Sequence, residues 1–290
     1  MNAQDILAMV INGLSSGLTL MLVALGLTLV FGILHIINLA HGELYMLGAY
    51  CVWWLSELMG FNYWFAIVLA MILIAFLGVL MERYLFRRFR AIMVPSLVVS
   101  IGLMLFLQSS ILLGTGMGDK EIEPVFHGQV TFLGTSLSLG RVIIGAVATV
   151  LVIAVILFLK YARPGQAIRA VAQDAEASSL QGISMNSVSR LTMIIGSALA
   201  AAAGGLLGPV FHLDYMMGFP VLLKALLAIV LGGMGSVVGG VILGSLVIGL
   251  VHSFATTLIG PEIAEIILFL IIAFILLIRP SGFFGMELRT

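Results

Sequence analysis

His35, His41 and Glu43 lie close together with Asn38 between them, in the stretch Gly32-Ile-Leu-His35-Ile-Ile-Asn38-Leu-Ala-His41-Gly42-Glu43. Two histidines and a carboxylate could hold a metal or move protons. Zinc sites of the helical protease type need histidines at i and i+4 with a glutamate between them, and this spacing does not supply that. No cysteine or further carboxylate cluster completes a ligand set. No nucleophile accompanies the histidines, so an intramembrane enzyme is not expected either. A glycine loop ending in Lys-Ser/Thr, which would cradle nucleotide phosphates, is absent, and no cofactor is implied. What remains is a polar island in apolar surroundings. Hydrocarbon offers no hydrogen bonds, so a broken apolar span must line a protein cavity or a water path. Asn38, His41 and Glu43 are therefore candidates for the wall of a solute route. Capping or bracing the break is an equally open role for His41 and Glu43.

A second break, Gly232-Gly-Met-Gly235-Ser236-Val-Val-Gly239-Gly240, has the same character: an apolar helix stops at glycines, shows a hydroxyl and resumes. Two interrupted segments, one in each half of a chain, point to a transport path between structural repeats, which places Ser236 beside the first set. Lys224 falls inside the apolar run that precedes this break. A charge within a span is costly and is a functional candidate. Alternatively, Lys224 lies near the outer end and snorkels to the interface. Glu262 and Glu265 follow Pro261, where acidic residues suit a helix start. His127 and His212 read as solvated loop residues.

The elements that must position these residues are set by composition. The 290 residues are 62% hydrophobic and 9% charged, against about a quarter charged in soluble domains. The expected fold is all-α, a polytopic membrane protein of about 8–10 transmembrane helices with broken or re-entrant segments, forming one unit over 1–290. Apolar runs fall near 6–34, 42–59, 61–82, 92–114, 140–160, 188–210, 219–234, 236–258 and 262–279. Zero net charge gives no sign of nucleic-acid binding, and Cys51, the single cysteine, has no disulfide partner. The first ten residues lack a basic region and a cleavage site, and read as the lead-in to a retained span.

Charge distribution sets the orientation. Arg83, Arg87, Arg88 and Arg90 cluster in one connection, Lys160, Arg163, Arg169 and Arg190 in or beside another, and Arg279 and Arg289 near the C-terminus. By the positive-inside rule these regions are cytoplasmic, and the connection at about 115–139 is external. Gly204-x-x-x-Gly208, Gly235-x-x-x-Gly239 and Gly240-x-x-x-Gly244 allow close helix approach. The segment at about 161–189 is longer than a connector needs. Pro164 and Gly165 mark a turn, 166–181 is alanine-rich and free of helix breakers, and Gly182 is a fitting stop. It reads as a short helix outside the membrane that another protein could cover.

Three stretches resemble permease subunits of ATP-binding-cassette importers of the branched-chain amino acid (LivH) type. The first runs from Gly17 through Gly26 and Gly32 to Asn38-Leu-Ala-His41-Gly42-Glu43 and Leu47-Gly48-Ala49-Tyr50. The second is Gly165-Gln-Ala-Ile-Arg169-Ala170 through Gly182-Ile183. The third is Leu231-Gly-Gly-Met-Gly235-Ser236-Val-Val-Gly239, with Arg279-Pro280-Ser-Gly282 closing the chain. The resemblance implies a non-catalytic permease in a bacterial cytoplasmic membrane with its C-terminus inside. Its implied partners are a second permease, identical or homologous, two cytoplasmic ATP-binding subunits and an external solute-binding protein. It also implies that the second stretch couples to the ATPases, with Arg163, Gly165, Arg169, Asp174 and Gly182 at the contact. Urea or amide importers are similar, and a self-contained secondary transporter would explain the breaks, with Glu43 or Lys224 as coupling charge, but not the cytoplasmic helix.

Overall fold

A computed structural model describes residues 3–34, 36–90, 92–126, 128–132, 135–233 and 239–278. Nine helices coincide with the nine apolar runs: α1 (Ala3–Leu34), α2 (His41–Trp53), α3 (Tyr63–Leu80), α4 (Met93–Thr115), α5 (Leu139–Tyr161), α8 (Met185–Leu207), α9 (Gly218–Gly232), α10 (Gly239–Ile259) and α11 (Pro261–Ile278). Between α5 and α8 lie α6 (Arg163–Gln173) and α7 (Ala175–Leu180). Among the described residues six helices are long and apolar enough to cross a membrane by themselves, namely α1, α3, α4, α5, α8 and α10. The helices α9 and α11 are shorter, and α2 carries the polar island at its start. Both α2 and α3 run on into a π-helical turn, Trp54–Leu58 and Met81–Leu85. The long connection before α5 carries a two-stranded antiparallel ribbon, β1 (Gln129–Phe132) and β2 (Thr135–Ser138), an addition that hydropathy did not indicate.

A helix that is apolar on every face belongs in the middle of a bundle or against lipid. α1 takes the middle: 78% of its spanning window is buried, against 22% for α4, which shows Phe106 and Val98 outward. α1 packs along α8 and α10, and α8 also packs on α2 and α3. Two buried hydroxyls inside these helices bond back to their own backbone. Thr28 donates to Ala24 O at 2.7 Å and Thr192 to Val188 O at 2.8 Å, so their burial leaves no donor orphaned.

The interhelix seams are made of glycine. A Cβ on Gly48 would strike the Ala201 backbone, one on Gly204 the Tyr45 carbonyl, and one on Gly244 the Ala228 carbonyl. Of the expected spacings, Gly204 and Gly244 lie against neighbouring backbone, Gly208 against the Ile122 side chain and Gly240 against Gly232. Gly235 and Ser236 fall outside the described residues. Without a hydrophobic force between helices in lipid, such close contact supplies the dispersion energy that holds them together.

One end of the bundle gathers the basic connections. Glu82 is fully buried at the end of α3 and is paired with Arg90 and, at 3.6 Å, with Arg87. Arg90 also donates to Asn186 Oδ1, at 2.8 Å, near the start of α8. At the other end, Lys120 and Leu213 exchange backbone hydrogen bonds and tie the ribbon-bearing connection to the one after α8.

Candidate functional site

The polar break is a buried turn that returns into the bundle. Gly26 in α1 lies against the His41 ring: a Cβ there would stand 3.1 Å from Nε2. Gly26 is roughly two turns, about 12 Å, short of the end of α1, so α2 begins well inside the bundle and not at its surface. Asn38 Oδ1 accepts from the Ala40 amide at 3.1 Å, and Asn38 O accepts from the His41 amide at 3.2 Å. Together these bonds turn the chain and start α2. The Ser100 hydroxyl of α4 reaches Ile37 O at 3.3 Å and Leu97 O at 2.8 Å. Glu43 Oε1 accepts from Gln108 Nε2, also on α4, at 2.9 Å. The Glu43 Oε2 atom lies where Gly218 has no side chain; a Cβ there would come within 2.8 Å.

Asn38, His41 and Glu43 are all fully buried. The structure brings them together, as the sequence suggested, with Ser100 and Gln108 as partners that the sequence did not point to. Asn38 Nδ2 and Glu43 Oε2 have no hydrogen-bond partner, and the His41 ring has only the Val23 backbone within reach. His35 lies outside the described residues.

The open space is elsewhere. A cavity of about 400 Å³ lies among α1, α9, α10 and the start of α11, in the half of the bundle away from the arginine clusters. Leu20, Val23, Val221 and Ile248 give it an aliphatic lining, and Phe211 and His212 reach it from the connection after α8. Lys224 points into this cavity together with His252 and Glu265. Its Nζ lies 2.6 Å from Glu265 Oε1 and 3.3 Å from His252 Nε2. Lys224 lies near the middle of α9 and is paired inside a cavity instead of snorkelling alone. Glu265, which reads from sequence as a helix-start acid, is the counter-charge. The missed signal is that Lys224 is the charged residue of its apolar run, and Glu265 lies just inside the start of the next run but one. Asn38, His41 and Glu43 do not line this space, and Ser236 lies outside the described residues.

The 163–182 segment departs from the expected single helix. Asp174 is extended, ends α6 and caps α7 by accepting from the Ala177 amide at 2.9 Å. Pro164 sits in the first turn of α6, so the helix starts at Arg163 and Pro164-Gly165 is not a separate turn. Gly165 is needed for contact instead, since a Cβ would strike the Phe158 carbonyl at the end of α5. Gly182 has φ +84° and closes the segment as expected. The inner face, Ile168 and Val171, packs on Leu29, Ile33, Leu159 and Val188. The outer face shows Arg163, Arg169, Gln173, Asp174 and Glu176. Arg169 also donates to Lys160 O, at 3.3 Å, at the end of α5. Leu180 stands 85% exposed at the end of α7, an apolar knob that sequence reading passed over.

A family model described as the permease component of branched-chain amino acid transport systems matches residues 9–276. The chain belongs to this family. It is 33% identical over 289 residues to the high-affinity branched-chain amino acid transport system permease protein LivH of Escherichia coli K12, covering 94% of each chain. It is 34% identical over 295 residues to BraD, a permease protein of the same description from Pseudomonas aeruginosa, covering 96% of this chain and 95% of that one. A probable LivH from Methanocaldococcus jannaschii is 25% identical over 290 residues. No solved structure matches. As a member of a permease family the chain is a multi-pass membrane protein and not itself an enzyme. Among the described residues no three His, Cys, Asp or Glu side chains stand close enough to hold a metal ion.

Proposed function

We propose that this chain forms part of the translocation path of an ATP-driven importer of branched-chain amino acids in a bacterial cytoplasmic membrane. Its arginine-bearing end and C-terminus face the cytoplasm by the positive-inside rule. ATP hydrolysis belongs to two separate cytoplasmic subunits, a second permease completes the path, and an external binding protein delivers the solute. The observation that carries this reading is the α6–α7 pair. A helix pair anchored by an apolar face on the ends of α1, α5 and α8, with its other face unpartnered, has the construction of a lever for a docked protein. A secondary transporter has no use for such a surface.

In this reading Arg163, Arg169, Asp174 and Leu180 meet the ATPase, while Gly165 and Gly182 let the lever sit tight on α5 and turn into α8. Closure of the ATPases pushes α6–α7, and α8 carries the push along its contacts with α1, α2 and α3. Solute enters the cavity from the side away from the lever. Asn38, His41 and Glu43 form the wall behind it and brace the start of α2. Stray polar atoms are costly at membrane depth, so this sealed wall holds the start of α2 in place, with Ser236 in the matching break on the route.

Leu180→Asp tests the lever. The residue is 85% exposed and its replacement costs the fold little. Membrane levels should be unchanged while ATP-dependent uptake and capture of the ATPase fall about tenfold or more, as for loss of an interface anchor. Undiminished uptake would contradict the docking assignment.

A further inference from the structure

Three consecutive helices each contribute one titratable side chain to the cavity: Lys224 from α9, His252 from α10 and Glu265 from α11. An ammonium only donates, so His252 accepts through Nε2 and carries its proton on Nδ1. The trio therefore offers one positive and one negative group, facing each other at 2.6 Å. Their accessibilities differ. The Lys224 side chain is 16% exposed and that of Glu265 39%, so the cation is the deeper of the two. The lining also holds the aliphatic Leu20, Val23, Val221 and Ile248 and the hydroxyls of Ser16, Thr19 and Thr256, and a cavity of about 400 Å³ lies within the range of small-molecule pockets.

From this arrangement we infer that the Lys224–Glu265 pair is the transit site for a zwitterion with an aliphatic side chain, an inference that rests on the permease reading above. The solute's carboxylate goes to Lys224 Nζ, its ammonium to the Glu265 carboxylate, and its side chain to Leu20, Val23, Val221 and Ile248. The internal pair is what the empty site uses in place of solute. Both charges stay neutralised when nothing is bound, so no unpaired charge stands in a low-dielectric wall. A zwitterion replaces one ion pair by two and brings no net charge. A solute with only one of the two charges leaves Lys224 or Glu265 unpaired, and the site rejects it on that ground. Because the solute competes with a short internal pair, its hold is weak, which suits passage better than retention. His252 keeps a partner on Lys224 while Glu265 turns to the ammonium.

The rival role for the pair is a staple joining α9 to α11. The whole importer, this chain with the partner subunits of its own cell, separates the two when leucine uptake, ATP hydrolysis and membrane level are measured together. Lys224→Met and Glu265→Gln should each lower leucine uptake about tenfold or more, with ATP hydrolysis and level within about twofold. The reversed pair, Lys224→Glu with Glu265→Lys, retains an ion pair and so any staple. It should reach the membrane at the normal level and still fail in uptake, because a zwitterion bound in reverse points its side chain away from the aliphatic lining. Recovered uptake in the reversed pair, or normal uptake in both single variants, would overturn the transit site and leave the permease reading standing. An unaltered complex that shows no ATP-dependent leucine uptake would overturn the permease reading itself, and the transit site with it.

Discussion

The break at 36–43 and the cavity around Lys224 both bring polar groups into an apolar bundle, and they treat those groups in opposite ways. In the break, Asn38, His41 and Glu43 are sealed among α1, α4, α8 and α9, with glycines at 26, 42 and 218 allowing backbone to approach. In the cavity, Lys224, His252 and Glu265 pair with one another across three helices and remain partly accessible. A sealed polar group shapes the chain, and an accessible one can change partners with something that arrives. The two regions should therefore fail differently: damage to the break should cost folding, and damage to the cavity should cost transport.

The largest effect is expected where the seam around the break is tightest. Gly204→Val places a branched side chain against the Tyr45 carbonyl and should destabilise the bundle by about 3 kcal/mol or more, the upper range for overpacking. Membrane levels measured by immunoblot should collapse, and a near-normal level would mean that the α2–α8 seam yields more than its backbone contacts allow. Asn38→Ala removes one side-chain bond to the Ala40 amide in a buried turn and should cost about 1–2 kcal/mol. Level should fall a few-fold while uptake per folded molecule and the apparent KM for leucine hold. A changed KM at constant level would move Asn38 from brace to solute contact and dissolve the contrast with Lys224.

The nine helices were legible because the spans are long apolar runs, and hydropathy reads length well. Depth was not legible. The sequence marks Asn38, His41 and Glu43 as an interruption, but whether an interruption faces a cavity or a seam depends on which helix packs over it. Here α4 supplies Ser100 and Gln108 to cover it from far along the chain. The Lys224–Glu265 pair escaped for a similar reason: the two residues meet only after α10 and α11 fold back on α9. In the 163–182 segment, composition indicates helix and Gly182 the stop, but nothing in the composition marks Asp174 as the point where the helix divides. Its side chain caps the next amide run instead, which is the local competition that makes aspartate favour helix starts. Leu180 was hidden because one leucine in an alanine-rich helix carries no sign of which way it points.

The central claim, that the cavity receives solute and the break walls it off, is tested most directly by thiol accessibility in the assembled importer. Cys51 is first replaced by serine, and single cysteines are then introduced as Val221→Cys in the cavity and Asn38→Cys in the break. A small membrane-impermeant thiol reagent is added from the side away from the arginine-bearing end. Val221→Cys should label readily and be protected by leucine supplied with its binding protein, while Asn38→Cys should scarcely label with or without solute. Asn38→Cys labelling as fast as Val221→Cys, with leucine slowing it, would contradict the account and put the solute in the break.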